Sequence, residues 1–155
     1  MRITRPQMFM EIAGIVAQRS TCMRLNVGAV MVHQRSIVSI GYNGVPAGEE
    51  HCRGNDCPGK HGCKLTIHAE VNALARLPEG IDGPVDMYCT DSPCYDCWMQ
   101  IVALHENVER VFFGTPYRVN DHLMTVGRNN LTLYRVTPAG HVMDWKTKEL
   151  VDVET

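Results

Sequence analysis

Two short segments constrain this chain more than anything else in it: His68-Ala69-Glu70 and Pro93-Cys94-Tyr95-Asp96-Cys97. Each falls at the start of a predicted helix. Cys94 and Cys97 are three residues apart, so on a helix they share one face and can chelate one ion. The partial positive charge of a helix N-terminus stabilises both as thiolates. His68 can supply one ring nitrogen from the second helix. Three ligands leave the fourth position of a zinc ion open to water, as in a catalytic rather than a structural site. Two thiolates and a neutral imidazole cancel the charge of Zn2+, and bound water should lose a proton near neutral pH. Glu70, two residues past His68, is too close in sequence for a comfortable fourth ligand and well placed as an acid/base beside the water. A zinc-ribbon half-site or a redox Cys-x-x-Cys would need neither the His-x-Glu nor a helix at each half.

The rest of the composition agrees with metal. The chain has 155 residues, the size of one ordinary domain, so 1–155 is expected to be a single unit. Its seven cysteines are an odd number, so they cannot all pair. That count, with seven histidines, points to metal in a reducing compartment rather than to disulfides. The net charge of −2 and pI of about 6.4 exclude an ordinary basic nucleic-acid binder. The charge is uneven: residues 1–48 hold five Arg and one Glu, and the remainder carries the acidic excess. A phosphate site or a plain helix surface would each account for the positive third. No apolar run reaches the ~18 residues of a membrane span. Gln7, Glu11 and Gln18 break the stretch after Arg2 and Arg5, so a signal peptide is not expected. The expected location is the cytoplasm, or the host cytoplasm if the source is viral.

Periodicity predicts helices over 5–20, 68–77, 94–106 and 120–128. It predicts strands over 27–32, 36–42, 85–90, 110–114 and 131–137. Met8, Ile12, Ile15 and Val16 are the expected apolar face of the first helix. Residues 41–48 (GYNGVPAG) are dense in turn formers, and 49–67 have no period, which suggests a loop held by something. The order, αββ then three αβ units, makes an α/β domain with a mixed five-stranded sheet between helices.

The His-x-Glu and Pro-Cys-x-x-Cys pair is the mark of zinc-dependent nucleobase deaminases. Within them the chain from about 5 to 137 resembles the deoxycytidylate (dCMP) deaminase family. The matching residues are Arg19-Ser20-Thr21-Cys22, Val27-Gly28-Ala29-Val30, Gly41-Tyr42-Asn43-Gly44-Val45-Pro46-Ala47-Gly48, and the long loop before His68-Ala69-Glu70-Val71-Asn72-Ala73. The resemblance implies a three-layer αβα sandwich of the cytidine deaminase-like type, often a homo-oligomer and commonly a hexamer. It implies hydrolysis of dCMP to dUMP and ammonia, with zinc-activated water attacking C4. Glu70 would carry the water proton to N3 and a second proton to the leaving ammonia. Backbone groups of Ala69 and Ser92 would hold the exocyclic groups.

The resemblance also assigns nucleotide contacts. Asn43 is a substrate candidate. Gly41, Tyr42, Asn43, Gly44, Pro46 and Gly48 would border an allosteric nucleotide, with dCTP activating, dTTP inhibiting and Mg2+ on the triphosphate. A plain turn would also explain this stretch. Arg24 and Arg118 are the phosphate candidates, each also readable as a surface arginine. Tyr117 resembles a tyrosine that closes over substrate, or packs in the core.

Cys22, Cys52, Cys57 and Cys63 remain, with His51 and His61 nearby. Four thiolates would close a structural zinc site and order the 49–67 insertion. Some family members carry a second zinc of this kind, and free thiols are the other explanation. Cys89, in a predicted strand, reads as a small core residue. Two other functions stay open at this point. One is a different zinc deaminase, acting on a nucleoside, a nucleobase or tRNA adenosine. The other is a catalytically idle zinc-binding regulatory subunit.

Overall fold

The computed structural model describes residues 1–52, 57, 63–118, 127–128 and 130–153. Among these residues ten elements follow in chain order: α1 (Arg5–Ala17), β1 (Gly28–His33), β2 (Ser36–Tyr42), α2 (Ala69–Ala75), β3 (Val85–Asp91), α3 (Tyr95–Leu104), β4 (Val108–Thr115), β5 (Thr132–Val136), β6 (Val142–Asp144) and β7 (Leu150–Val151). The strands form one mixed sheet in the order β2-β1-β3-β4-β5-β6-β7. The β3-β4-β5 centre is parallel and every other pairing is antiparallel. The expected helix over 120–128 lies outside the described residues except at 127–128.

The sheet has seven strands where five were expected. The two extra strands come from the tail, where three and two residues are too few to show a period. Their turn is built by Asp144, whose side chain accepts from the amides of Lys146 and Thr147 at 2.8 and 3.0 Å.

Two apolar clusters lie on opposite faces of the sheet. One joins Ala69, Ala73 and Leu74 of α2 and Trp98 and Ile101 of α3 to Ala29, Met31, Met87, Cys89, Val111 and Phe113. The other joins Phe9, Ala13 and Val16 of α1 to Val30, Val32, Tyr88 and Phe112. This is the αβα sandwich. Cys89 is fully buried, as expected of a core residue.

The first helix turns a different side inward than its spacing suggested. Phe9, Ala13 and Val16 are buried, whereas Met8 and Ile15 are exposed. The helix is apolar nearly all round, so periodicity does not choose a face. Close approach does: a Cβ on Gly28 would overlap the Ala13 carbonyl oxygen, so α1 lies directly on β1 at that point. Thr4 caps α1 by accepting from the Gln7 amide at 3.2 Å. The helix ends at Ala17 because the next three amides bond three residues back rather than four. The β1–β2 turn is made by Gln34 and Arg35, both left-handed, without the glycine such turns favour.

α2 is held to the sheet as closely as α1. A Cβ on Gly41 would overlap the Ala69 carbonyl and the Ala73 amide, and the Ser39 hydroxyl donates to the Ala73 carbonyl at 2.6 Å. This contact fixes the helix whose first turn carries Glu70.

Candidate active site

α2 and α3 begin side by side on the same face of the sheet. His68 is extended and precedes α2 without capping it through its side chain. Cys94 does cap α3: its sulfur accepts from the Cys97 amide at 3.4 Å. The His68 Nδ1 atom lies 3.4 Å from Cys94 Sγ and 3.3 Å from Cys97 Sγ. Tetrahedral bonds of usual length to zinc would place nitrogen and sulfur about 3.6 Å apart. Among the described residues this is the one group of three or more His, Cys, Asp or Glu with ligand atoms this close. Spacing and donor type fit zinc with one coordination position left over.

The hydrogen bond with Cys97 holds Cys94 down to about 4, and the same contact with burial pushes Cys97 up. The bond to Cys94 raises His68. Glu70 is 4% exposed, and burial lifts its carboxyl to about 7. A carboxyl near neutrality can both take and give a proton at working pH.

A cleft of about 280 Å³ opens over these residues. It collects His68, Ala69, Glu70, Ser92, Cys94, Asn43, Arg24, Tyr117 and Arg118. Residues expected to touch substrate therefore share one cavity, although they come from distant parts of the chain. Cys97 is buried behind it. The Ser92 hydroxyl clamps Tyr117, accepting from its amide at 2.7 Å and donating to its carbonyl at 3.0 Å. The Arg24 guanidinium reaches the Tyr117 hydroxyl at 3.4 Å, and that of Arg118 lies 5.2 Å from the centre of its ring. Two cations thus stand on one tyrosine in the cleft wall.

The GYNGVPAG stretch divides. The Asn43 side chain accepts from the Val27 amide at 2.8 Å and donates to the Leu25 carbonyl at 2.7 Å, so it shapes the cleft wall at 25–27. The Tyr42 ring packs on the α1 side, and its carbonyl takes a bond from Asn72 at 2.9 Å. Gly44 pairs with Ile67. Pro46 and Gly48 are exposed, and Gly48 has a φ of +91°. Of these residues only Asn43 lines the cleft.

Cys22 and Cys63 also reach the cleft, and Cys52 and Cys57 are half-buried. The structure does not bring the four together as a second metal group among the described residues. The Thr66 hydroxyl donates to Cys63 at 3.4 Å and lowers its thiol. His51 is exposed, and His61 lies outside the described residues. Sequence reasoning missed Asp91 and Asp96 in the cleft wall. Both lie within three residues of Cys94, which was their available signal.

Residues 3–115 match the model of the cytidine and deoxycytidylate deaminase zinc-binding region. The chain belongs to this family of zinc deaminases. Within it, the chain is 33% identical over 124 residues to a deoxycytidylate deaminase of Schizosaccharomyces pombe, covering 74% of this chain but 38% of that protein. It is 38% identical over 121 residues to the deoxycytidylate deaminase of Mycobacterium phage D29, covering 68% of this chain and 90% of the phage protein. A solved structure of the dCMP deaminase of cyanophage S-TIM5, in complex with dCMP and dUMP, superposes with a TM-score of 0.70 at 28% identity. It covers 83% of this chain and 94% of the phage chain.

Proposed function

We propose that this chain catalyses the hydrolytic deamination of dCMP to dUMP and ammonia. The observation that carries this reading is a single cleft that brings His68 and Cys94 of the metal group and the buried Glu70 together with Arg24, Tyr117 and Arg118. The first set suits hydrolysis at an amidine carbon, the second a phosphate. The zinc-bearing family and the named dCMP deaminases of similar sequence support it.

His68, Cys94 and Cys97 would hold zinc, which supplies Lewis acidity and lowers the pKa of bound water. Glu70 accepts the proton released by water, passes it to ring N3, and carries a second proton to the departing ammonia. Its burial suits both directions of transfer. Ala69 and Ser92 offer backbone groups to the ring's exocyclic atoms. Asn43 supports the wall under the sugar, and Arg24 and Arg118 meet the phosphate while Tyr117 covers it.

Several finer points belong to the same reading. The product dUMP would supply thymidylate synthesis in the cytoplasm, and no helix among the described residues is long and apolar enough to cross a membrane. Residues 1–155 act as one deaminase domain. Cys22, Cys52, Cys57 and Cys63, which form no close group here, would converge on a second, structural zinc. The chain assembles as a homo-oligomer, a hexamer. Gly41 to Gly48 contribute to a site for dCTP or dTTP with Mg2+, and the exposed turn at Pro46 and Gly48 supports that placement.

Ammonia release tests the whole. dCMP should be turned over much faster than cytosine or cytidine, with a sigmoidal curve made hyperbolic by dCTP and shifted the other way by dTTP. Absence of turnover on dCMP rejects the activity. A curve unmoved by either triphosphate rejects only the regulation. Metal analysis should find two zinc ions per chain; one removes the second site.

A further inference from the structure

The polar side chains of the cleft can be sorted by what already engages them. The Asn43 amide is bonded to the backbone at 25–27 and the Ser92 hydroxyl to Tyr117. Thr66 is engaged with Cys63. His68 and Cys94 face each other across the metal position. Two carboxylates remain besides Glu70: Asp96, exposed in the first turn of α3, and Asp91, half-buried in the wall.

Asp91 is the last residue of β3 and pairs with Thr115 of β4. Strand alternation places it on the side of Val85, Met87 and Cys89, facing α2 and α3. It is half-buried in the cleft wall. One carboxylate oxygen accepts from the Thr90 hydroxyl at 2.9 Å. Thr90 is itself fixed, because its oxygen accepts from the Gly28 amide at 3.2 Å. The carboxylate is therefore oriented by its own strand. Burial raises its carboxyl, and the Thr90 bond opposes that rise. Asp91 is three residues before Cys94 and next to Ser92, and its charge adds to the rise of the Glu70 carboxyl and the Cys89 thiol.

We infer that Asp91 is a specificity residue that accepts a hydrogen bond from the C4 amine of the cytosine ring and so tells substrate from product. The inference rests on the deaminase reading above. A carboxylate accepts only. The amine of dCMP is a donor, and the C4 oxygen of dUMP is an acceptor. Once ammonia has left, the same contact sets two acceptors against each other in a partly desolvated site. Asp91 thus favours entry of the amine and departure of the carbonyl. A site built around one hydrogen-bonding polarity discriminates strongly against the opposite one.

The test compares the zinc-loaded wild-type chain with Asp91→Asn and Asp91→Leu. KM for dCMP and the inhibition constant of dUMP are measured, with zinc content and Tm as controls. Glu70→Gln, which does not turn substrate over, allows direct dCMP and dUMP binding by calorimetry with and without Asp91→Asn. Asparagine can donate to the C4 oxygen, so Asp91→Asn should weaken dCMP about tenfold and tighten dUMP several-fold. Asp91→Leu should weaken dCMP and bring the two constants together. Equal weakening of both nucleotides, the pattern of a contact to the sugar, overturns the assignment. So does a change below about twofold in both. If neither variant folds, Asp91→Ser in the Glu70→Gln chain decides: a narrowed gap between dCMP and dUMP binding upholds the assignment, and an unchanged gap overturns it. Failure of the wild type to turn over dCMP is a separate result, which rejects the functional reading and this inference with it.

Discussion

The two ends of the cleft are built differently. At the reacting end, His68 and Glu70 bracket the first turn of α2, and Cys94 and Cys97 bracket that of α3. Backbone hydrogen bonds of helix and sheet set their positions. At the other end, Arg24, Tyr117 and Arg118 lie outside helices and strands and are placed by side-chain contacts: a hydroxyl clamp from Ser92, a 3.4 Å hydrogen bond and a cation over a ring. Chemistry that tolerates little displacement sits on regular elements, and recognition of a charged, mobile phosphate sits on loops. The difference also separates what a mutation should do: damage at the first end should fall on kcat, damage at the second on KM.

Glu70→Gln probes the first end most severely. It should retain zinc and lose about 10³-fold or more in kcat, since proton transfer is removed and binding is not. Single-turnover measurement with parallel metal analysis checks this; an active variant would break the assignment. Cys97→Ala should release most of the zinc, and chelation of the wild type should abolish turnover until zinc is returned, with the far-UV spectrum nearly unchanged because helix and sheet carry the fold. At the second end, Arg24→Ala and Arg118→Ala should each raise KM for dCMP about tenfold, as expected for a lost charge-assisted hydrogen bond, and leave weak turnover of deoxycytidine unaltered. Equal effects on both substrates would show that these arginines do not meet a phosphate. The smallest effect is expected from Ser92→Ala. It frees the Tyr117 backbone while keeping the Ser92 backbone groups, so KM should rise by about threefold with kcat preserved. A large kcat loss there would mean that the two ends are mechanically linked.

The same contrast explains how much was legible in the sequence. The zinc ligands and Glu70 were readable because helix geometry converts a spacing of two or three residues into a spatial relation. The first five strands and the mixed character of their sheet were readable because each is long enough to show a period. The inward face of α1 was not, because the choice between Met8 and Phe9 depends on the distant Gly28 rather than on the helix itself. The tail strands were too short to announce themselves. Asn43 was recognised as important, yet its bonds to Leu25 and Val27 depend on where two loops cross. Asp91 carries no motif of its own, and its place in the same cleft wall as Glu70 follows only from the way β3 delivers the chain to Cys94.

The short β6–β7 hairpin has a consequence for behaviour at high concentration. Of the two edges of the sheet, the one that ends in the two-residue β7 offers far fewer unpaired amides to a neighbouring molecule than the seven-residue β2. Shortening the chain after Thr137 would bare the five-residue flank of β5, with Leu133 and Val136 alongside it. Such a fragment would keep every residue of the cleft and yet be expected to precipitate through strand pairing. The last residues of the hairpin, which line no part of the cleft, thus cover the β5 flank.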